Sequence, residues 1–154
     1  MSTHHGIFVH VVFSTKYRKK TLKAVWRDEL YAYIGGIVRD HKSVLIQSGC
    51  VEDHIHLLLK VHPEFAIAKT VQLLKTNSSK WINEQRKTSS KFQWQRGHGV
   101  FAVSQSKVAT VKQYIATQEQ HHALRTFEEE YVLMLRRHGI DYDPRFVFER
   151  EFVA

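Results

Sequence analysis

Two runs of strand-forming residues, Ser43 to Val51 and His54 to His62, are separated only by Glu52 and Asp53. A link this short joins two strands as an antiparallel hairpin. Side chains alternate along a strand, so Ile55, Leu57, Leu59 and Val61 share one face of the second run, and that face makes a good core. The other face carries His54, His56, Leu58, Lys60 and His62, which make a poor one. Pro63 ends the run. Ile7 to Ser14 (IFVHVVFS) is apolar on nearly both faces and reads as a central strand. Gly99 to Ser104 (GVFAVS) reads as a fourth strand.

Helical periodicity fills the gaps between these strands. Ala24 to Asp40 groups Trp26, Leu30, Tyr33, Ile34, Ile37 and Val38 on one broad face. Gly35 and Gly36 interrupt that helix and suit close packing on the sheet. Phe65 to Gln85 turns Ile67, Val71, Leu74 and Trp81 inward and Lys69, Lys75 and Lys80 outward. Lys107 to His122 and Phe127 to His138 form two further helices. Gly139 stops the second, and Asp143-Pro144 opens an extended tail. Lys16 to Lys20 is a basic loop, and Arg86 to Gly97 is a polar, mobile loop carrying Phe92 and Trp94. The order predicts the α+β class, as a single domain over residues 1–154. Its frame is a ferredoxin-like βαββαβ antiparallel sheet with two helices on one face and extra C-terminal helices. That fold hosts many unrelated activities, so function has to come from particular side chains.

The 23 Lys and Arg residues outnumber the 15 Asp and Glu residues, for a net charge of +8. Such a balance favours a polyanionic partner, because each neutralised phosphate releases counterions. No apolar run approaches the roughly 20 residues that span a bilayer, and no secretory pattern opens the chain. The lone cysteine, Cys50, lies in an apolar stretch and reads as a small buried hydrophobe. These features point to a cytoplasmic protein. One cysteine without zinc-finger spacing argues against a structural zinc site. There is no phosphate-cradling G-x-x-x-x-G-K-[ST] loop, so no nucleotide cofactor is expected.

His54 and His56 project from the same strand face, a few ångströms apart, as a divalent metal requires. By itself the pair also fits a surface strand. Tyr114, Gln118 and His122 recur at i, i+4 and i+8 on one helical stripe. A phenol is a nucleophile towards phosphorus, and a glutamine carbonyl is a metal ligand. An amphipathic helix with its tyrosine packed on the sheet reads equally well. Taken together, the two features compose one chemical set: metal-assisted cleavage of a phosphodiester by tyrosine. Of the remaining histidines, His122 reads as a helix C-terminal cap in preference to a place near the metal, His98 as a loop residue, and His4, His5 and His41 as solvent-exposed. Glu128, Glu129 and Glu130 read as acids facing a helix N-terminus, with no functional part. For DNA contact, Lys16, Arg18, Lys19 and Lys20 form one group and Lys75 and Lys80 a second, all positioning phosphates. Tyr17 and Trp94 are candidates for stacking on unpaired bases, with a core anchor as the other reading of Trp94.

Over nearly its whole length the sequence resembles the single-tyrosine transposases of insertion sequences, named for a histidine–hydrophobic–histidine (HUH) motif. The resemblance rests on His10 to Lys20 (HVVFSTKYRKK), Gly49 to Leu59 (GCVEDHIHLLL), Gln95 to Val103 (QRGHGVFAV) and Val111 to His122 (VKQYIATQEQHH), in that order and spacing. It implies that His54 and His56 are the metal-binding pair and that Gln118 completes their site. It implies that Tyr114 is the nucleophile, forming a 5′-phosphotyrosine link. The implied metal is Mg2+ or Mn2+, and the implied partner is single-stranded DNA with hairpin ends. The resemblance further implies a homodimer, in which Tyr114 of one subunit can serve the histidines of the other. A domesticated nuclease of the same family, or a non-catalytic ferredoxin-like nucleic-acid-binding module, remains an alternative.

Overall fold

The computed structural model describes residues 1–148; residues 149–154 of the expected single domain lie outside the described residues. Strands β1 (Ile7–Ser14), β2 (Val44–Cys50), β3 (His54–Val61) and β4 (Gly99–Val103) form one antiparallel sheet in the order β2-β3-β1-β4. β1 is therefore central, as its two apolar faces require. Helix α1 (Arg27–Arg39) links β1 to β2, and α2 (Ile67–Glu84) links β3 to β4. This is the ferredoxin-like βαββαβ frame of the α+β class. Three more helices follow: α3 (Val108–Ala116), α4 (Gln118–His122) and α5 (Phe127–Arg137). Among the described residues no helix is long and apolar enough to cross a membrane.

Strand alternation divides the interior into two cores. On one face Val9, Val11, Phe13, Ile55, Leu57, Leu59 and Val61 pack against Leu30, Ile34 and Val38 of α1 and Val71, Leu74 and Ile82 of α2. Each fully buried side chain of this size contributes about 1.5–3 kcal/mol. On the other face Val12 and Phe101 meet Phe127, Met134 and Leu135 of α5. The additional helices thus cover the sheet face that carries the histidines.

Several local expectations change. The first helix begins with a short 3-10 turn, Ala24–Trp26, and Tyr33 lies at its exposed edge, stacked on Trp81 at 5.1 Å. Neither glycine of α1 is needed for close packing. A methyl at Gly35 would make ordinary contact with Leu45, and one at Gly36 would meet open space. The close approach is at Gly49 instead, where a Cβ would lie 2.0 Å from the Ile115 carbonyl oxygen. The stretch read as a mobile loop is pinned: Asn83 binds both the N–H and the carbonyl of Phe92, and Phe92 and Trp94 are buried. The helix expected from Lys107 to His122 breaks at Thr117 (φ −111°, ψ 31°), whose hydroxyl donates to the Gln113 carbonyl at 2.9 Å. Such back-bonding bends helices. The segment after Gly139 is not simply extended, because the Asp143 carbonyl accepts from Phe146 and Val147 and closes a turn.

Candidate active site

His54 and His56 occupy a strand with neighbours on both sides, and both are completely buried. The turn before them is held by backbone bonds from Thr21 and Leu22 to the Glu52 carbonyl and from Thr15 to the Asp53 carbonyl. This places the Asp53 carboxylate 2.8 Å from His54 Nδ1. On β1, His10 lies one pleat from the partner of His56, and its Nε2 is 2.7 Å from His56 Nδ1. Each histidine thus has its Nδ1 engaged and its Nε2 free to point elsewhere. Outer partners of this kind fix ring orientation in metal sites.

Both Nε2 atoms lie close to the same atom. Glu130 Oε1 lies 2.8 Å from His56 Nε2 and 3.2 Å from His54 Nε2, the latter out of line for a hydrogen bond. The other carboxylate oxygen, Oε2, accepts a short hydrogen bond from the Tyr114 hydroxyl. Glu130 stands on the buried stripe of α5 between Phe127 and Met134, at i, i+3 and i+7. The Tyr114 ring centroid is 5.9 Å from that of His56 and 6.3 Å from that of His10, and the ring stacks on His121.

Two contacts seat the tyrosine segment. Gly49, the β2 partner of His56, lets the Ile115 carbonyl approach the sheet. Arg27, fixed by two bonds to the Leu22 carbonyl, reaches Glu119 of α4 at 2.9 Å. Gln118 is buried; its amide donates to the Tyr114 carbonyl at 3.3 Å, and its Oε1 has no partner.

Electrostatics separates these groups. Burial, then His56, holds His10 well below the usual imidazole range. Burial also lowers His56, despite Glu130. Burial works against protonation of His54 too, but Asp53 and Glu130 outweigh it, and its pKa is raised. Glu130 would be raised by burial, yet His54, His56 and Tyr114 hold it well below the usual carboxylate range. Burial and the adjacent carboxylate push the Tyr114 phenol up, so it is neutral near pH 7.

The residues fit a divalent cation. Ligand atoms of His54, His56 and Glu130 lie within 4.8 Å of one another. With its Nδ1–H given to Asp53, neutral His54 presents an Nε2 lone pair to a carboxylate oxygen, acceptor against acceptor. A proton or a cation resolves that opposition. Two imidazoles and a carboxylate are a donor set for a first-row divalent ion such as Mn2+ and suit Mg2+ less well. The unpartnered Gln118 Oε1 is a further buried acceptor on the tyrosine segment.

The structure brings Tyr114, His54 and His56 together within one chain. His122 does not act as a cap. Its ring packs on His54 at 4.5 Å, and its Nε2 is 3.5 Å from Asp53 Oδ1. His41 is half-buried, stacked on Phe65 and bonded to Thr70, rather than solvent-exposed. Cys50 is buried, with its thiol pushed up to about 11 by burial. Of the DNA-contact candidates, Arg18 and Lys20 line a cleft of about 660 Å³ that reaches Asp53 and His122. Arg18 is also paired with Glu128, and Lys16 and Lys19 lie over the exposed ring of Tyr17. Trp94 is corrected to a core residue: it is 8% exposed, edge-on to Phe13 and Phe92, with its indole N–H on Ser78. Lys75 is half-buried and donates to the Gln95 and Gly97 carbonyls. Lys80 is exposed on α2, in the helix layer across the sheet from the histidines.

Sequence reasoning gave no role to Glu130, His10 or Asp53. A carboxylate in the apolar stripe of a helix was the available signal for Glu130. For His10 it was an imidazole in an otherwise apolar central strand.

The chain matches the family model described as "Transposase IS200 like" over residues 3–118. It is 30% identical over 118 residues to a Salmonella typhimurium transposase for insertion sequence element IS200, covering 71% of this chain and 74% of that protein. To the ISDra2 transposase TnpA of Deinococcus radiodurans it is 26% identical over 114 residues, covering 71% of this chain and 81% of that protein. Among solved structures, a protein of Deinococcus radiodurans R1 classed as a transposase is similar with a TM-score of 0.61 at 25% identity, covering 75% of this chain and 92% of that one. A REP-associated tyrosine transposase, solved bound to a REP hairpin, shares the fold with a TM-score of 0.61 at 13% identity, over 100% of both chains.

Proposed function

The chain belongs to the IS200-like transposase family, and we propose that it cuts and rejoins single-stranded DNA at insertion-sequence ends by transesterification through Tyr114. One observation carries this reading: within one chain, the Tyr114 hydroxyl and two buried imidazoles converge on a single carboxylate. The phenol oxygen attacks the scissile phosphorus, a P–O bond to Tyr114 forms, and the bond to the 3′ oxygen breaks. The phenol gives up its proton and the departing 3′ oxygen takes one up. One phosphodiester replaces another, so the step is reversible and needs no nucleotide cofactor. His54, His56 and Gln118 would hold Mg2+ or Mn2+, which supplies polarisation of the phosphate and offsets its growing charge. His10 and Asp53 keep both imidazoles aimed.

Arg18 and Lys20 line the cleft beside Asp53 and His122 and, with Lys16 and Lys19, would position phosphates; Tyr17 would stack on an unpaired base, and Lys80 is more distant. The DNA would be single-stranded with hairpin ends, in keeping with the REP hairpin to which the REP-associated transposase was bound. A homodimer would carry two complete sites, and the working compartment is the cytoplasm. The test is a denaturing gel of 5′- and 3′-labelled hairpin-bearing single-stranded DNA with Mn2+. A covalent adduct on the 5′-phosphate side, absent in Tyr114→Phe, is expected; an adduct that survives Tyr114→Phe removes Tyr114 as nucleophile.

A further inference from the structure

Glu130 lies on α5, beyond residue 118 where the match to the family model ends. Family membership therefore assigns it nothing. Its burial is costly: a carboxylate only 5% exposed has lost most of its hydration, and an apolar residue on that stripe would pack at no such cost. Its partners are specific. Oε1 faces the Nε2 atoms of both histidines, and Oε2 receives the hydroxyl that the reaction uses.

We propose that Glu130 is a catalytic residue bridging the metal and the nucleophile. Its Oε1 joins His54 Nε2 and His56 Nε2 as a ligand, and its Oε2 orients the Tyr114 hydroxyl. This rests on the reading of Tyr114 and the two histidines given above. It makes α5 part of the site, because the two oxygens of one carboxylate, joined through a single carbon, face the histidines and the tyrosine hydroxyl respectively. Gln118, whose buried Oε1 has no partner, keeps its place in the ligand set beside Glu130. The second carboxylate near the histidines, Asp53, engages His54 through Nδ1 and stays outside the ligand set.

The experiment is a Mn2+ titration of the full chain, followed by calorimetry and by the rise in Tm that Mn2+ produces. Single-turnover cleavage at saturating Mn2+ is measured alongside. Glu130→Gln keeps the shape and removes the charge, and Glu129→Gln makes the same charge change on an exposed neighbour. Glu130→Gln is expected to weaken Mn2+ by at least about a hundredfold, beyond the tenfold to hundredfold that loss of an outer partner costs. It should shrink the Mn2+-induced rise in Tm and slow cleavage even at saturation, with Glu129→Gln unchanged. Should Glu130→Gln not fold, Glu130→Asp retains the charge on a shorter arm and should bind Mn2+ while cleaving slowly. Wild-type Mn2+ affinity in Glu130→Gln, or wild-type cleavage at saturation in either variant, overturns the bridge. His56→Ala separates the two levels. If His56→Ala loses Mn2+ while Glu130→Gln keeps it, only the bridge falls; if both keep it, the metal reading falls with it.

Discussion

The two faces of the sheet are built from the same strands, one residue out of step. Facing α1 and α2, β3 presents Ile55, Leu57 and Leu59, which sit in an apolar cluster with Val11, Phe13, Leu74 and Val71. Facing α3 to α5, the same strand presents His54 and His56, which contact Asp53, His10 and Glu130. Both sets are equally buried. Burial of the first stabilises the fold, since apolar area leaves water. Burial of the second costs desolvation, which only mutual hydrogen bonding and charge pairing offset. The lesson is that depth of burial does not separate core from site here; the polarity of what is buried does.

Substitutions on the two faces should therefore fail in different ways. The largest expected effect is Tyr114→Phe, which should abolish the covalent DNA adduct while lowering the unfolding free energy by only about 1.5–3 kcal/mol, the worth of one hydrogen bond to a charged group. A large loss of stability on chemical denaturation would show that Tyr114 is a packing residue after all. Leu57→Ala should do the reverse, costing about 2–5 kcal/mol of stability while the folded fraction still binds Mn2+ as wild type does. Gly49→Ala probes the seam between strand and tyrosine helix. Its methyl collides with the Ile115 carbonyl and must push Tyr114 away from His56, so cleavage should fall by about a hundredfold with the apolar core intact. Unchanged cleavage would show that α3 need not sit where it does.

Asp53→Asn should weaken Mn2+ by about tenfold, the smaller end of the range for an outer partner, with little change in the melting curve of the metal-free protein. The smallest effect concerns pH. The raised pKa of His54 keeps a proton on its ring to higher pH, and that proton competes with the metal. Mn2+ affinity should thus rise as pH climbs through the His54 pKa and fall below it. Asp53→Asn, lacking one partner that raises the pKa, should move that midpoint downward; an unmoved midpoint would detach Asp53 from His54.

The face that forms the apolar core was legible in the sequence because alternation and periodicity are local. The strands from Ile7 and His54, the helix faces of Leu30 and Leu74, and the shared projection of His54 and His56 all follow from spacing. What was not legible depends on contacts far apart in the chain. Glu130 meets His56 across 74 residues, and its position in an acidic run at a helix N-terminus offered a sufficient local explanation. Trp94 looked like an exposed aromatic in a polar loop because nothing nearby shows that Phe13 and Ser78 receive it. Gly49 sat within a recognisable motif, yet only the approach of the Ile115 carbonyl shows why a side chain is excluded there. His122 fell on the right stripe, but its place beside Asp53 depends on the break at Thr117.

The convergence of Tyr114 and both histidines on one carboxylate within a single chain supports the proposal that Tyr114 serves the histidines of its own sheet. The direct test is to mix Tyr114→Phe with His56→Ala, add 5′- and 3′-labelled hairpin-bearing single-stranded DNA and Mn2+, and resolve the products on a denaturing gel beside wild type. The account predicts no covalent adduct from the mixture, because neither chain has both halves. An adduct in the mixture, absent from each variant alone, would show that the tyrosine of one chain works on the histidines of another, and would contradict it.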